Sequence, residues 1–427
     1  MERKINEELL RWSSDANKPL LLYGCRCVGK TYSCLEFGRQ KYKNVAYFDC
    51  TNNIELFELF SHEKNIDKII LKLQMLSNET IFQYDTLIIF DNCNYSELIK
   101  AIKVFSTDNN PYHIIIITDR KDILNNIKGE ELRYLQMYPM DFEEFLNNSD
   151  KKQLVDFIKD SFVTLNPMPF HQMAMDSYFD YLITGGLPEV VNAYFNKENF
   201  NIIESIKQRI ISIYKSEISV YCNLNSVPKA FEVYDILPYQ NKKDNHKFQY
   251  GLIKKGGRSK DYEEAINYLV NNNIVNRSYK LNDIANPLFK NKDEDSFKLY
   301  FNDPGLLYTG LHLNKMKLLT DLDTRRMLIE NNVANTLNSL GYSLYYYQSD
   351  GKALVEFIVQ DRLGVITPIE VADMKLVKSK SLSIVQTKFN MENGIKISEL
   401  NFEKKRNVKI IPCYASFCLK DLEVNKK

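Results

Sequence analysis

The sequence predicts an α/β protein whose first domain is a parallel β-sheet flanked by helices. Four short runs of aliphatic and aromatic residues alternate with helical stretches, at residues 20–23, 45–48, 87–90 and 114–118. Runs of this length are typical of strands buried on both faces, as they are where helices cover both sides of a sheet. Residues 1–12 predict an amphipathic helix ahead of the sheet, because Ile5, Leu9 and Trp12 recur at helical spacing.

The domain organisation follows from length and periodicity. A chain of 427 residues is longer than one hydrophobic core usually organises, so we predict several regions. The sheet domain occupies residues 1–137, and helical periodicity predicts a lid at 138–223. Residues 224–320 predict a winged-helix-like region, because compact helices, the last at 262–273, precede a short strand. Residues 321–427 predict a small C-terminal α/β domain, with a helix and then strands at 343–347, 354–359, 365–371 and 408–414.

The composition excludes several classes of protein. Hydrophobic residues make up 44% of the chain and charged residues 26%, which is typical of an ordinary folded protein. The formal net charge is only +1, so attraction to nucleic acid requires a local basic patch. No apolar run approaches the roughly 18–20 residues that a membrane span requires, and the N-terminus is not a signal peptide, so we expect a cytoplasmic protein without membrane contact. The eight cysteines lack metal-site spacing, and we expect reduced thiols.

A glycine-rich loop follows the first predicted strand. Its residues are Gly24, Cys25, Arg26, Cys27, Val28, Gly29, Lys30 and Thr31, which satisfy the P-loop pattern G-x-x-x-x-G-K-[ST] between a strand and a helix. In this pattern backbone N–H groups wrap the phosphates, the lysine reaches the β and γ oxygens, and the Thr31 hydroxyl ligates Mg²⁺. The loop therefore predicts a P-loop NTPase sheet that binds ATP and Mg²⁺.

An acidic residue ends the predicted strand at residues 86–91. Asp91 stands where a Walker B strand places the carboxylate that holds Mg²⁺ through water, although an aspartate that caps the next helix is the alternative. The next residue is Asn92, where AAA-type hydrolases carry a glutamate that polarises the attacking water. An amide does not accept a proton, so the sequence predicts slow or absent hydrolysis.

The fourth predicted strand ends in polar residues that suit a sensor of the γ-phosphate. Either Thr118 or Asp119 fills that role in the sequence pattern. Arg120 and Arg133 are candidates for an arginine that stabilises charge in cis or in trans, with solvated surface as the alternative for both. The sequence alone does not choose among them.

Several short sequence segments, spread along nearly the whole chain, together form a pattern that is specific to one group of proteins. They lie at residues 11–12, 18–24, 138–146, 185–189, 247–250, 297–300, 303–307 and 368–371. With these segments the chain resembles bacterial AAA-type ATPases that carry a C-terminal domain of unknown function similar to restriction-endonuclease-like nucleases. Members of that group usually read Asp-Glu-Ile-Gln where this chain reads Asp91-Asn92-Cys93-Asn94. The resemblance therefore implies an ATP-binding domain from which the catalytic glutamate is missing.

The same resemblance implies a nuclease-like C-terminal fold. In such nucleases a helical Glu, a strand Asp and a Glu-x-Lys strand gather magnesium and a proton-handling lysine. The matching positions here are Glu330, Glu356 and Glu370, while Ala372 stands at the lysine position. Lys352 and Lys375 are the nearest substitutes for that lysine. We therefore expect a nuclease-like fold that is kept for binding or packing.

Basic residues precede the predicted helix of the middle region. They are Lys242, Lys243, Lys247, Lys254, Lys255, Arg258 and Lys260. In a winged-helix arrangement such residues approach the phosphate backbone of DNA, although lysines in a lysine-rich chain are more often solvated surface. DNA contact remains a hypothesis.

Three functions stay open at this point. The first is an ATP-binding switch with weak or absent hydrolysis, whose nucleotide orders the lid and middle region and presents the C-terminal domain to a protein partner or a second copy. The second is an active ATPase coupled to metal-dependent binding or cleavage of DNA. The third is a scaffold subunit with a degenerate nucleotide site.

Overall fold

The computed structural model describes residues 1–14, 18–107, 110–127, 129–240, 247–349, 353–372 and 380–423. The chain divides into two compact units. Unit 1 comprises Met1–Tyr138 with Asn271–Asn273, and unit 2 comprises Pro139–Val270 with Ile274–Lys427. The lysines at positions 242, 243, 352 and 375, which the sequence pattern singled out, lie outside the described residues.

Unit 1 contains a parallel sheet. Its strands, among the described residues, are β1 (Leu20–Tyr23), β2 (Asn44–Asp49), β3 (Thr86–Asp91), β4 (His113–Thr118) and β5 (Arg133–Gln136). Their order across the sheet is β2-β3-β4-β1-β5, and every neighbouring pair is parallel. The parallel sheet and its first four strands are confirmed to within a residue at each end, whereas β5 was not predicted. Leu20–Leu22 and all of β3 are buried, as continuous apolar runs require.

Helices connect and cover these strands. Those described in unit 1 are α1 (Ile5–Ser14), α2 (Lys30–Lys41), α3 (Ile54–His62), α4 (Ile66–Ser77) and α5 (Ser96–Ile102), with 3₁₀ turns at Lys103–Phe105 and Asp122–Asn126. The predicted first helix is confirmed, and it buries Ile5, Leu9 and Trp12. One apolar core lies against the sheet face that presents Phe48, Ile88 and Phe90. The carboxyl ends of parallel strands meet at one edge, and that edge carries the candidate site.

Unit 2 begins with helices. They are α6 (Phe142–Asn147), α7 (Leu154–Thr164), α8 (His171–Thr184), α9 (Pro188–Phe195), α10 (Phe200–Tyr221), α11 (Val227–Gln240), α12 (Tyr250–Ile253) and α13 (Ser259–Asn271). Later come α14 (Pro304–Gly310), α15 (Lys315–Thr320), α16 (Leu322–Ser339) and α17 (Lys380–Lys388), with 3₁₀ turns at Leu288–Asn291 and Cys413–Glu423. Asp141 and Glu144 form a capping box that fixes the start of α6.

The described strands of unit 2 form two sheets. They are β6 (Val275–Leu281), β7 (Lys292–Phe301), β8 (Tyr345–Gln348), β9 (Leu354–Val355), β10 (Phe357–Gln360), β11 (Ile366–Val371), β12 (Gly394–Ser398), β13 (Glu403–Lys405) and β14 (Val408–Pro412). One sheet has the order β7-β6-β8-β9, and the other has the order β10-β11-β12-β14-β13. The single strand predicted at residues 354–359 is broken at Glu356 into β9 and β10, which belong to different sheets. The short strand that suggested a winged-helix arrangement is β6, which pairs with β7 on one side and with β8 on the other, so it is part of a larger sheet.

Two of the segments that carry the family resemblance meet inside unit 2. The buried carboxylate of Asp303 accepts hydrogen bonds from the backbone N–H groups of Gly186, at 2.6 Å, and of Leu306, at 3.0 Å. A Cβ on Gly185 would lie 2.2 Å from Oδ1 of Asp303, and the φ of Gly185 is 81°, so only glycine fits there. Burial raises the pKa of Asp303 to about 6, against these hydrogen bonds, which lower it. These residues are therefore a structural joint between the start of α14 and the end of α8.

Across the described helices, none combines the length and the apolar composition needed to cross a membrane. All eight cysteines lie within the described residues, and no disulfide links any of them.

Candidate nucleotide-binding site and acidic cluster

The P-loop lies between β1 and α2, and glycine is required at both of its ends. A Cβ on Gly24 would lie 2.2 Å from the backbone oxygen of Met137, so a side chain has no room there. Gly29 caps α2 with a φ of 94°, a left-handed conformation that favours glycine. Lys30 and Thr31 are the first residues of α2, so both lie at a helix N-terminus, where backbone N–H groups favour anions.

All three N–H donors of the Lys30 ammonium group have partners. Its ammonium group donates to the backbone oxygens of Gly24 and Cys25, both at 2.8 Å, and pairs with Oδ1 of Asp119 at 2.6 Å. Its side chain is only 5% exposed, so three acceptors match its three N–H donors in a nearly dry setting. Asp119, predicted as a sensor, is therefore the partner of the P-loop lysine.

Arg26 joins the same network from the middle of the loop. Its guanidinium pairs with Oδ2 of Asp119 and donates to Oδ1 of Asn92 at 3.2 Å. Burial alone raises the pKa of Asp119, but the charges and hydrogen bonds of Lys30 and Arg26 hold that pKa below its ordinary value. Asp119 is thus an anion that binds both cations of the loop.

The two predicted magnesium ligands are in direct contact. The hydroxyl of Thr31 donates to Oδ2 of Asp91 at 2.7 Å, and the hydroxyl of Tyr47 donates to the same oxygen at 2.9 Å. Asp91 is 2% exposed at the end of β3. A hydroxyl and a carboxylate at this separation are the hard oxygen ligands that Mg²⁺ prefers, so Thr31 and Asp91 fit the ion that the P-loop implies.

Asn92 is held in a left-handed conformation, with a φ of 55°. Asparagine tolerates this conformation better than most residues do. Its side-chain oxygen accepts from Arg26, and its Nδ2 donates to Oδ1 of Asp49 at 3.1 Å. Burial raises the pKa of Asp49, and the hydrogen bonds from Thr51 and Asn92 outweigh it, so the pKa lies below its ordinary value. Asn92 is therefore a fixed polar bridge between the loop and the end of β2.

The remaining predicted loop residues have side chains that pack within unit 1. Cys25 and Val28 are buried, and the backbone oxygen of Val28 accepts from Arg3 at 2.8 Å. Cys27 has a φ of 65°, and burial raises the pKa of its thiol to about 11. Its sulfur is therefore a neutral thiol near pH 7, which fits a packing role.

The other candidates for a sensor or a charge-stabilising arginine either form hydrogen bonds with neighbouring side chains or are exposed. The hydroxyl of Thr118 donates to Oδ1 of Asn94 at 2.8 Å, so this hydrogen bond stabilises the end of β4. Arg120 makes two hydrogen bonds to Asp122, at 3.0 and 2.5 Å. Arg133 is exposed at the start of β5. The P-loop itself contributes Arg26, whose guanidinium contacts Asp119 and Asn92.

In unit 2 the structure gathers the acids predicted from the nuclease resemblance. Glu330 on α16 and Glu356 between β9 and β10 interact electrostatically, and Glu370 on β11 also acts on Glu356. Phe357 pairs with Ile369 across the two strands, which places Glu356 and Glu370 at the next register position.

Cations that the sequence pattern did not single out occupy this cluster. Lys298 on β7 pairs with Oε1 of Glu330 at 2.7 Å, and Arg326 pairs with Oε1 of Glu356 at 2.8 Å. The hydroxyl of Tyr300 donates to Glu330 at 2.7 Å. Within the described ranges, no group of three or more His, Cys, Asp or Glu side chains is arranged to hold a metal ion.

Some of these residues had a recognisable signal in the sequence. Asp49 ends an apolar run just as Asp91 does, and parallel neighbours place such ends side by side. Arg326 precedes Glu330 by four positions on one helix, which puts both on one face. Lys298 had no such signal, because its partner Glu330 is 32 positions away in the chain.

Comparisons with known proteins agree with the geometry of unit 1. Residues 16–146 match the family model described as AAA domain, and residues 175–317 match a model described as Domain of unknown function (DUF8612). No curated protein matches the sequence. The first match identifies the P-loop domain as an AAA-type ATP-binding domain of the P-loop NTPase fold.

Solved structures with some similarity share little sequence with this chain. The Walker-type ATPase PABY2304 of Pyrococcus abyssi is 13% identical, with 73% of this chain and 95% of that chain covered and a TM-score of 0.45. PCH-2 of C. elegans is 13% identical, with 39% and 48% covered and a TM-score of 0.22. The Drosophila ORC bound to DNA is 12% identical, with 72% and 93% covered and a TM-score of 0.22. TM-scores below 0.5 do not establish a common architecture over the matched length.

Proposed function

We propose that the chain binds Mg²⁺-ATP at the P-loop and acts as a nucleotide-dependent switch with slow turnover. The observation that carries the proposal is the ion pair between Lys30 and Asp119. Lysine has three donors, and all of those on Lys30 are used by the loop and Asp119. Phosphate oxygens are recognised by this same ammonium group, so a bound nucleotide requires Lys30 to release one of its three acceptors, and we propose that Asp119 is the one released.

The exchange has consequences beyond the lysine. Asp119 also holds Arg26, and Arg26 holds Asn92, so release of Asp119 loosens a chain of contacts that reaches the ends of β2, β3 and β4. The nucleotide-free and nucleotide-bound states therefore differ in which groups these side chains contact. A ligand that binds one of two such states more tightly shifts the population towards it. Thr31 and Asp91 supply oxygen ligands for Mg²⁺, whose charge offsets that of the phosphates.

Slow hydrolysis follows from Asn92. An amide orients water through hydrogen bonds but does not take its proton, and a positioned general base contributes typically about 10²–10⁴-fold to a rate. We therefore propose turnover far below the median enzyme value of about 10 s⁻¹.

The acidic cluster of unit 2 supports a binding role over nuclease chemistry. Metal-dependent cleavage needs carboxylates that are available to a divalent cation, whereas Glu330 and Glu356 already contact Lys298 and Arg326. We propose that the nuclease-like fold is kept as a rigid body that a protein partner or a second copy of the chain recognises. The alternative is an active ATPase coupled to metal-dependent DNA cleavage, and it requires those cations to leave.

Calorimetry with Mg²⁺-ATP, combined with phosphate release in the same sample, tests the switch. We expect binding in the parent protein with turnover far below 10 s⁻¹, and at least about 100-fold weaker binding in Lys30→Ala. Asn92→Glu is expected to gain hydrolysis without losing affinity. Brisk turnover in the parent would favour the ATPase alternative, and unchanged binding in Lys30→Ala would leave only the scaffold reading.

A second role, contact with DNA phosphates, is favoured by one cluster of unit 2. Lys254, Lys255, Arg258 and Lys260 are all exposed just before or at the start of α13, and none forms an ion pair with a described residue. A Cβ on Gly256 would meet nothing within 4 Å, so the loop surface is open. We propose that these four cations contact the backbone of duplex DNA through a winged-helix-like surface.

Fluorescence anisotropy with a labelled duplex at several salt concentrations tests this role. Reversing the four charges to Glu is expected to weaken binding and to reduce the salt slope by about 3–4, since each phosphate contact contributes about 0.9. A control variant reverses Arg39, Lys41, Lys72 and Lys100 in unit 1, which are also exposed, so that net charge is equal. An equal loss of DNA binding in both variants would mean that net charge alone determines the affinity.

A further inference from the structure

The carboxylate of Asp49 lies beside the residue that replaces the missing glutamate. Strands β2 and β3 run parallel with Asp49 directly opposite Asp91. Both carboxylates therefore stand at the carboxyl edge of the sheet, where β1 also ends and leads into the P-loop. The sheet brings a second acid to the edge that carries the P-loop, and this acid is exposed whereas Asp91 is buried.

Local hydrogen bonds fix the position of this carboxylate. Oδ1 of Asp49 accepts from the backbone N–H of Thr51 at 2.9 Å and from Nδ2 of Asn92 at 3.1 Å. Both donors from the described chain meet the same oxygen, which leaves Oδ2 available to a water molecule. Asn92 in turn accepts from Arg26 of the P-loop, so the contact chain leads from Asp49 into the phosphate-binding loop.

Asp91 is engaged differently. Its Oδ2 accepts from Thr31 and Tyr47, and its Oδ1 accepts from the backbone N–H of Asn92 at 2.8 Å. One oxygen of Asp91 therefore contacts the other predicted Mg²⁺ ligand, Thr31, and the second oxygen accepts from the backbone at the start of the loop after β3. Of the carboxylates at the ends of β2, β3 and β4, Asp119 is held by two cations, and Asp49 is the exposed one.

We propose that Asp49 is the general base for the slow hydrolysis of ATP, with Asn92 as the residue that positions it. Asp49 accepts a proton from water while the water oxygen bonds to the γ-phosphorus. The bond from that phosphorus to the β,γ-bridging oxygen breaks, and its electron pair leaves on ADP. Asp49 then returns the proton to solvent. This inference rests on the proposed binding of ATP at the P-loop.

The test compares Asp49→Asn with the parent and with Asp85→Asn. The asparagine keeps an oxygen that accepts from Asn92 and Thr51, so a purely structural role of Asp49 predicts no change in turnover. Asp85 is an exposed aspartate directly before β3, at the opposite edge of the same sheet. Thermal unfolding without nucleotide shows whether each variant is folded.

We expect Asp49→Asn to lower single-turnover hydrolysis by at least tenfold, within the range of general-base effects. Removal of a negative charge beside the γ-phosphate is also expected to tighten the binding of a non-hydrolysable ATP analogue two- to fivefold and to leave ADP affinity unchanged. Asp85→Asn is expected to match the parent in all three measurements.

The possible failures are distinguishable. Unchanged turnover in Asp49→Asn, or a parent that binds ATP but never hydrolyses it, would overturn the role of Asp49 and leave the switch intact. Absence of ATP binding in the parent would overturn both. An equal change in ATP and ADP affinity would show that Asp49 does not face the γ-phosphate, and this result also contradicts the proposal.

Discussion

The P-loop network of unit 1 and the acidic cluster of unit 2 are built from the same kinds of side chain. In unit 1, Lys30 and Arg26 share Asp119. In unit 2, Lys298 and Arg326 pair with Glu330 and Glu356. Each network brings a lysine and an arginine to buried carboxylates. They differ in the number of acids and in the backbone that carries the cations.

The pKa shifts express the first difference. Asp119 is opposed by burial but served by two cations, and its pKa is lowered. Burial and the charges of Glu330 and Glu370 raise the pKa of Glu356, Arg326 and Lys298 counteract only part of this, and the resulting pKa is about 7. A buried acid therefore stays charged where cations outnumber acids, and it takes up protons where acids crowd together.

The second difference is mechanical. The cations of unit 1 lie on or next to a glycine loop, and the Arg26 side chain is 37% exposed, so they can change partners when a phosphate arrives. Lys298 lies within β7 at 7% exposure, and its neighbours Tyr300 and Phe301 are buried, so it has no second position to adopt. An ion pair that can change partners suits a switch, whereas a fixed ion pair suits a structural role.

The largest effect is expected from loss of the fixed lysine. Lys298→Ala leaves the mostly buried Glu330 carboxylate without the cation that contacts it, and we expect a cost of about 3 kcal/mol, at the lower end of the range for broken buried ion pairs because Arg326 still acts on Glu330. Hydrogen exchange of peptides from β7 and α16 measures the change in the free energy of opening. The double variant Lys298→Met with Glu330→Gln removes both charges and is expected to cost about 1 kcal/mol or less. Equal costs in the two variants would mean that packing, and not charge, is at stake.

A pH dependence follows from the raised pKa of Glu356. Its pKa rises from the ordinary 4.5 to about 7 on folding, so the folded state holds a proton that the unfolded chain releases. The stability of unit 2 gained from this proton is complete below about pH 4.5 and is lost as pH rises through about 7. At about 1.36 kcal/mol per pKa unit, the change is on the order of 3 kcal/mol.

Glu356→Gln isolates this carboxyl. Asp303, with a pKa of about 6, and His171, whose pKa is lowered by burial, titrate in both proteins and cancel in the difference. Urea unfolding at pH 5, 6, 7 and 8 is expected to show a steeper loss of stability in the parent than in the variant between pH 5 and 7, and similar slopes in both proteins by pH 8. Parallel curves would mean that Arg326 keeps Glu356 charged throughout.

A smaller effect is expected at the exchangeable pair. Asp119→Asn removes the competitor that occupies Lys30 in the free protein, so nucleotide no longer has to break that ion pair. We expect three- to tenfold tighter binding of a non-hydrolysable ATP analogue, on the order of 1 kcal/mol, and a lower melting temperature without nucleotide. Asp122→Asn, which removes a charge three residues further on, is the control and should leave affinity unchanged. Weaker binding in Asp119→Asn would mean that Asp119 assists the nucleotide instead of competing with it.

Much of unit 1 was predictable because its signals are local. Buried parallel strands are continuous apolar runs, and the P-loop pattern sits between a strand and a helix. β5 was missed because Arg133–Gln136 is an edge strand with no fully buried residue and only two apolar ones. β7 was missed because its first half, Lys292–Ser296, is mostly charged and contains no buried residue.

The partners within each site were less predictable. Lys30 and Asp119 belong to separate motifs, 89 positions apart in the numbering, and only the order β3-β4-β1 brings them together. The break of residues 354–359 at Glu356 was hidden, since Leu354–Val355 and Phe357–Gln360 are both apolar and read as one strand. Periodicity detects burial, but it does not assign a residue to one of two sheets.

The smallest effect is expected at Arg120, the candidate for a charge-stabilising arginine that already has a local partner. Its guanidinium is held on Asp122, so Arg120→Gln is expected to change turnover less than twofold and stability by about 0.5 kcal/mol. Phosphate release and thermal unfolding measure these two changes. A loss of turnover that is restored by adding the nucleotide-free variant Lys30→Ala would instead show that Arg120 acts in trans between two copies. That outcome would extend the exchangeable network of unit 1 across a subunit interface, because an arginine engaged on its own chain would have to leave Asp122 to reach a neighbouring phosphate.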